Sequence, residues 1–410
     1  MRKVIITFLG DRGAVETRYS FQGREYVGGV FPQALRDFCE YDQMLVCVTP
    51  KAREKTWPVL ESLHDPRIEA VDIPTGETTE EMWKTFRTIA EKVGEGDEVT
   101  FDITHGLRSL PFLVFLFAAY LKTAKSVNIR AVYYGALELQ NKELGKPAPV
   151  INLSEFVSML DWITATDRFI DLGLGNRLSE LICGTLPEVA RAIDDTSLAL
   201  QLSRPLGTME AAGKLRREIE EVKQKEVVLP PPFDLLSDKV RDAYTGFALA
   251  DPRSDANTVE NLRRQVKMVG WYVDRYQYVQ AATLWREALV SLVAYACGFK
   301  AEEIFNKNKR KKVEDALNKP ATKEDANSQQ SATPSEVLTT LRSHEQYPRI
   351  VGLWSKFKDV RNDIAHAEMT DASKSASELV SSVKKMREDL QSLVECILPS
   401  PATSVDLETP

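Results

Sequence analysis

The feature that most constrains this chain is a change of hydrophobic pattern near residue 154. Before it, five short apolar runs alternate with segments of helical length. The runs are residues 3–9 (KVIITFL), 44–48 (MLVCV), 68–73 (IEAVDI), 99–103 (VTFDI) and 129–135 (IRAVYYG). Runs this short and this continuously apolar predict strands buried on both faces, the habit of a parallel sheet. Segments 31–40, 52–63, 79–93 and 107–123 are predicted helices between them, which gives an open, doubly wound α/β domain. In such sheets ligands bind beyond the carboxyl ends of the strands, so a site is expected at the loops after Leu9 and Ile103.

After residue 154 the strand signals stop. Helices are predicted over 154–166, 175–186, 193–202, 209–226, 233–250, 257–295, 347–366 and 373–398. The polar stretch 322–335 (TKEDANSQQSATPS) predicts a flexible loop, and 401–410 a disordered tail. A length of 410 residues exceeds what one core usually organises. The chain therefore divides into an α/β domain over 1–150, an all-α linker region over 151–250, an all-α domain over 251–400, and the tail.

Several function classes are disfavoured at this point. A formal net charge of −7 argues against tight DNA binding, although a local patch could still touch RNA. The five cysteines (Cys39, Cys47, Cys183, Cys297, Cys396) form no CxxC pair, and no two of the four histidines have metal-ligand spacing. Neither a zinc site nor a disulfide framework is expected. The apolar run at 110–121 is too short to span a bilayer, so a cytoplasmic protein with no membrane association is expected.

Two short motifs carry chemistry. The first, Asp102-Ile103-Thr104-His105-Gly106, stands between a predicted strand and a predicted helix. Gly106 allows close backbone approach and the helix N-terminus favours an anion, with Arg108 and Ser109 adding a cation and a hydroxyl. The plainer reading is a strand-to-helix turn in which Thr104 caps the helix and His105 is solvated. DITHG resembles the DxTHG signature of CRISPR-associated proteins that carry a CARF domain, a Rossmann-like sensor of cyclic oligoadenylate. The resemblance covers about the first 150 residues and implies a dimeric sensor. Gly10, Asp11, Arg12, Thr104, His105, Gly106 and Arg108 would contact the ring, with Ser109 beside them. Cyclic tetra-adenylate is the expected ligand, because a four-fold ring contains the two-fold axis of a dimer; a six-membered ring does too. Some sensors of this kind also degrade their ligand.

The second motif, Arg361-Asn362-Asp363-Ile364-Ala365-His366, ends an amphipathic helix marked by Ile350, Leu353, Trp354, Phe357 and Val360. An arginine and a histidine suffice to cut RNA without metal, because the RNA's own 2′-hydroxyl is the nucleophile. Imidazole moves a proton near neutral pH and guanidinium steadies charge on the phosphate. Asn362 could position Arg361, and Asp363 could orient a neighbour. The plainer reading is a surface cluster in which Arg361 pairs with Asp359 or Asp363. Arg361 and His366 are five apart, hence ~140° from eclipsed on an ideal helix. They converge only if the helix loosens near Ala365 or if two copies meet. RNDIAH is similar to the R-x4-H motif of HEPN ribonucleases, over roughly residues 257–398. That similarity implies a composite site across a homodimer or higher homo-oligomer, which cuts single-stranded RNA to 2′,3′-cyclic phosphate ends.

Together the motifs resemble, in order, the CARF–HEPN ancillary ribonucleases of type III CRISPR defence. They imply a ribonuclease switched on allosterically by a cyclic oligoadenylate, with no cofactor or metal. The alternatives are a non-catalytic sensor or regulator, and a ring nuclease that degrades its activator. Residues 307–312 (KNKRKK) could guide RNA or be a solvated loop. The aromatic residues Trp271, Tyr272, Tyr276, Tyr278 and Trp285 are expected on one long helix, as core or dimer packing rather than for base stacking. Glu287 could orient a catalytic side chain or form a surface ion pair.

Overall fold

A computed structural model describes residues 1–105, 110–141, 145–318, 336–369 and 373–400. The chain forms two compact units, Met1–Asp161 and Trp162–Pro410. The first is a mixed α/β sheet with helices; the second, among its described residues, is helical.

The sheet of the first unit has eight strands: β1 (Lys3–Phe8), β2 (Thr17–Phe21), β3 (Arg24–Gly28), β4 (Gln43–Val48), β5 (Ile68–Asp72), β6 (Glu98–Asp102), β7 (Asn128–Gly135) and β8 (Ala148–Asn152). Their order is β3-β2-β8-β7-β6-β1-β4-β5. The five strands from β7 to β5 are mutually parallel and are the five apolar runs of the sequence. From β1 the sheet grows one way through β4 and β5 and the other way through β6 and β7, so its switch point lies between β1 and β6. Alternate residues feed opposite layers. Val4, Ile6 and Phe8 pack with Phe101 and Phe117 on one face, and Ile5 with Met44, Val46 and Phe31 on the other.

Three strands depart from the sequence reading and make the sheet mixed. β2 and β3 form an antiparallel hairpin turned by Gln22 and Gly23, both at positive φ as a two-residue hairpin loop requires. β8 runs antiparallel to β7 and joins the hairpin to the parallel strands. The helix expected over 52–63 is two, Pro50–Lys55 and Trp57–Glu61. Pro58 supplies no N–H to continue the ladder.

In the second unit one hydrophobic core runs from Trp162 to Leu398. Trp285 is fully buried in it, stacked on Phe357 with ring centroids 5.0 Å apart and donating Nε1–H to the Met386 carbonyl at 2.8 Å. The helix expected over 257–295 is two, Thr258–Asp274 and Tyr278–Ala296. They part at Tyr276, whose φ is +60°. Tyr272 and Trp285 are buried as packing residues, whereas Tyr276 is exposed. The basic run lies in the helix Lys307–Asn318, and so is not a loop. The polar stretch 322–335 and the tail 401–410 lie outside the described residues. No helix among the described residues is long and apolar enough to cross a membrane.

Candidate functional site

The loops after β1 and β6 flank the switch point, and a small polar network ties them to the sheet. Asp102, the last residue of β6, is fully buried. One carboxylate oxygen accepts the Thr7 hydroxyl at 2.5 Å and the other the Thr104 N–H at 2.7 Å. Burial pushes the Asp102 carboxyl up to about 6, against the pull of its hydrogen bonds from Thr104 and Thr7. The Thr104 hydroxyl accepts the Gly135 N–H at 2.7 Å and so fastens the loop to the end of β7. Gly135 is held to its small size, since a Cβ would stand 2.9 Å from the Phe31 ring.

His105 is also engaged by the fold. Its Nε2 accepts the Phe31 N–H at 3.3 Å, at the start of the helix Phe31–Phe38. It thereby serves one of the N–H groups that a helix leaves unpaired. Burial lowers the His105 imidazole to about 4. A neutral ring with Nε2 as acceptor carries its proton on Nδ1. In the first loop Asp11 and Arg12 are exposed, and the Gly10 carbonyl accepts the buried Thr56 hydroxyl at 2.7 Å. The break between the two short helices places Thr56 there. Gly106, Arg108 and Ser109 lie outside the described residues.

The second motif closes the helix Tyr347–His366, whose buried face is Ile350, Leu353, Trp354, Phe357 and Val360. The helix stays regular through His366 and ends at Ala367, left-handed at φ +47°. Arg361, Asn362 and His366 are exposed. Arg361 Nη1 donates to Asn362 Oδ1 at 3.1 Å. Asp363 accepts the Lys374 N–H at 2.8 Å, next to the Ser375 cap of the helix Ala376–Ile397. Because nothing loosens at Ala365, Arg361 and His366 of one chain point ~140° apart.

The basic run divides in two. Arg310 turns inward, donating to Glu287 Oε2 at 2.7 Å, to the Ser291 hydroxyl at 2.9 Å and to the Ile304 carbonyl at 3.1 Å. Glu287 is thus a partner of that run and of Arg286. Lys309 pairs with Glu303 at 2.8 Å. Lys307, Lys311 and Lys312 face solvent. Among the described residues no group of three or more histidine, cysteine, aspartate or glutamate side chains is arranged to hold a metal ion.

The similarity found among known proteins is to a CRISPR-associated protein. Residues 158–246 match the family model of the second domain of CRISPR-associated protein MJ1674. CRISPR-associated protein MJ1674 of Methanocaldococcus jannaschii is 30% identical to this chain over 128 residues. That match covers 30% of this chain and 20% of the relative's length. The matched family segment holds the helices Asn176–Ile182, Pro187–Gln201, Pro205–Gln224 and Pro231–Asp242 together with most of Ser154–Leu172. It includes neither DITHG nor RNDIAH.

The structure brings Thr104 and His105 to one corner, and Arg361, Asn362, Asp363 and His366 to one helix end. Sequence reasoning missed Thr7, Thr56, Gly135 and the positioning part of Asp102. Thr7 and Asp102 do leave a trace, as single polar residues in otherwise apolar strands (KVIITF and EVTFD), where burial demands a partner. Thr56 leaves none, because its partner is a backbone carbonyl 46 positions away.

Proposed function

We propose that this chain is an endoribonuclease gated by a cyclic oligoadenylate. The first unit would take the ring at the β1–β6 switch point, and the second would cut single-stranded RNA at a site shared by two copies. One observation carries the reading: a single chain joins a DITHG corner at a sheet switch point to an exposed Arg361–His366 helix end. Similarity to a CRISPR-associated protein supports it at the level of the biological system.

In the cleavage step the RNA 2′-oxygen forms a bond to the adjacent phosphorus, and the bond from phosphorus to the 5′-oxygen breaks. His366 takes the 2′-hydroxyl proton and a proton is returned to the departing 5′-oxygen, while Arg361, held by Asn362, steadies the phosphate oxygens. The products are a 2′,3′-cyclic phosphate and a 5′-hydroxyl. A regular helix cannot gather both groups from one chain, so Arg361 of one copy would work with His366 of another. A surface suited to pairing exists on the helix Leu110–Lys125, where Phe112, Leu116 and Tyr120 form an exposed stripe at i, i+4 and i+8. His105, neutral and engaged with the Phe31 N–H, is poorly placed as an acid or base, which weighs against ring breakdown as the main chemistry.

The test is cleavage of labelled single-stranded RNA with and without cyclic tetra-adenylate and EDTA. Cutting that needs the ring and survives EDTA is expected, and its loss in His366→Ala with ring binding intact. Intact RNA in the presence of bound ring, or undiminished cutting by His366→Ala, would refute the reading.

A further inference from the structure

We infer that a cleft between the helices Thr258–Asp274 and Ala376–Ile397 is a separate binding site for a nucleoside phosphate. The cleft has a volume of about 530 Å³, inside the roughly 300–1,000 Å³ range of small-molecule pockets. No residue of either motif lines it, so this site does not depend on the ribonuclease reading.

Charge comes first. Arg263, Lys267, Arg275 and Arg387 line the cleft against two carboxylates, Asp274 and Glu395. Asp274 is paired with Arg387 and Arg263 lies 3.9 Å from Glu260, yet the four cations still outnumber these three carboxylates, on a chain whose net charge is −7. Concentrating like charges costs energy unless an anion offsets it. Shape comes second. The Arg275 guanidinium lies over the Trp271 ring at 4.3 Å, and its Nε is buried with no hydrogen-bond partner among the described residues. A buried donor left unpaired is costly, so this group is poised for an acceptor.

Gly270 leaves room for one of the cations, since a Cβ there would stand 3.2 Å from Arg387 Nε. Val266, Val394 and Leu398 give the cleft an apolar wall. Arg263 also donates to the Pro399 carbonyl, bridging the two walls at one end, which suits a compact ligand better than a continuing strand. The ligand must therefore be small, anionic and partly planar. A phosphate would meet Lys267 and Arg387, and a base would lie along the Arg275–Trp271 stack.

Titration calorimetry on the full chain tests this with ATP, adenosine and inorganic phosphate as probes. ATP is expected to bind at least about tenfold more tightly than adenosine or phosphate alone, and to weaken at least about tenfold in Lys267→Gln and in Arg275→Gln. Lys267 is exposed, so its variant is expected to fold as the parent does, and thermal midpoints check both. Absent ATP binding, affinity unchanged in folded Lys267→Gln, or phosphate binding as tightly as ATP would each overturn the inference.

Discussion

At the scale of single residues, the DITHG corner is first a piece of construction. Asp102 is a buried carboxylate that touches both the β1 strand and the loop after β6, through Thr7 and Thr104. Its carboxyl is raised to about 6 from an ordinary value near 3.9, because burial penalises the charged form. The stability it contributes is therefore full below about pH 4 and is lost as pH rises through 6, an effect of order ~3 kcal/mol. Asp102→Asn keeps an acceptor for the Thr104 N–H but cannot ionise. Relative to the parent, this variant is expected to gain thermal stability between pH 4.5 and 7.5; a constant difference across that range would contradict the assignment. At the other motif, Asp363→Ala removes the acceptor of the Lys374 N–H. If the proposed site is right, it is expected to slow RNA cutting by loosening the helix end that carries His366, with a smaller fall than His366→Ala, read as kcat for each variant.

At the scale of elements, the Lys307–Asn318 helix separates structural from solvated charge. Arg310→Ala removes four hydrogen bonds to Glu287, Ser291 and Ile304 and is expected to cost about 1–3 kcal/mol in denaturant unfolding. Replacing Lys311 and Lys312 together by Ala should leave stability within about 0.5 kcal/mol. If the proposed RNA path crosses that face, the same change flattens the salt dependence of RNA binding. The sequence already marked which elements are buried on two faces: the five apolar runs are the five parallel strands, and the 347–366 helix ends where its pattern ends. What escaped has physical causes. TRYSF and REYVG carry polar residues on partly exposed strands, and APVIN contains Pro149, which argues against a strand in any periodicity count. The break at Tyr276 has neither glycine nor proline to announce it. DITHG and RNDIAH were legible as motifs, but their hydrogen-bond partners Gly135, Phe31 and Lys374 are distant or backbone groups that no local pattern encodes.

At the scale of the whole molecule, the proposed cleavage requires two copies, because one regular helix holds Arg361 and His366 on different sides. A ring ligand can gate such a pair only by binding one arrangement of the copies more tightly than another. Leu116→Arg, placed on the exposed apolar stripe, is expected to lower the dimer fraction in sedimentation and RNA cutting in parallel; a dimer that persists with full activity would move the pairing surface elsewhere. The sharpest measurement mixes two inactive variants, Arg361→Ala and His366→Ala, allows subunits to exchange, and follows RNA cleavage with cyclic tetra-adenylate and EDTA present. Each variant alone is expected to be silent and the mixture to cut, since Arg361 of one chain would meet His366 of the other. A mixture that forms mixed dimers yet stays silent, or a single variant that cuts by itself, would contradict it.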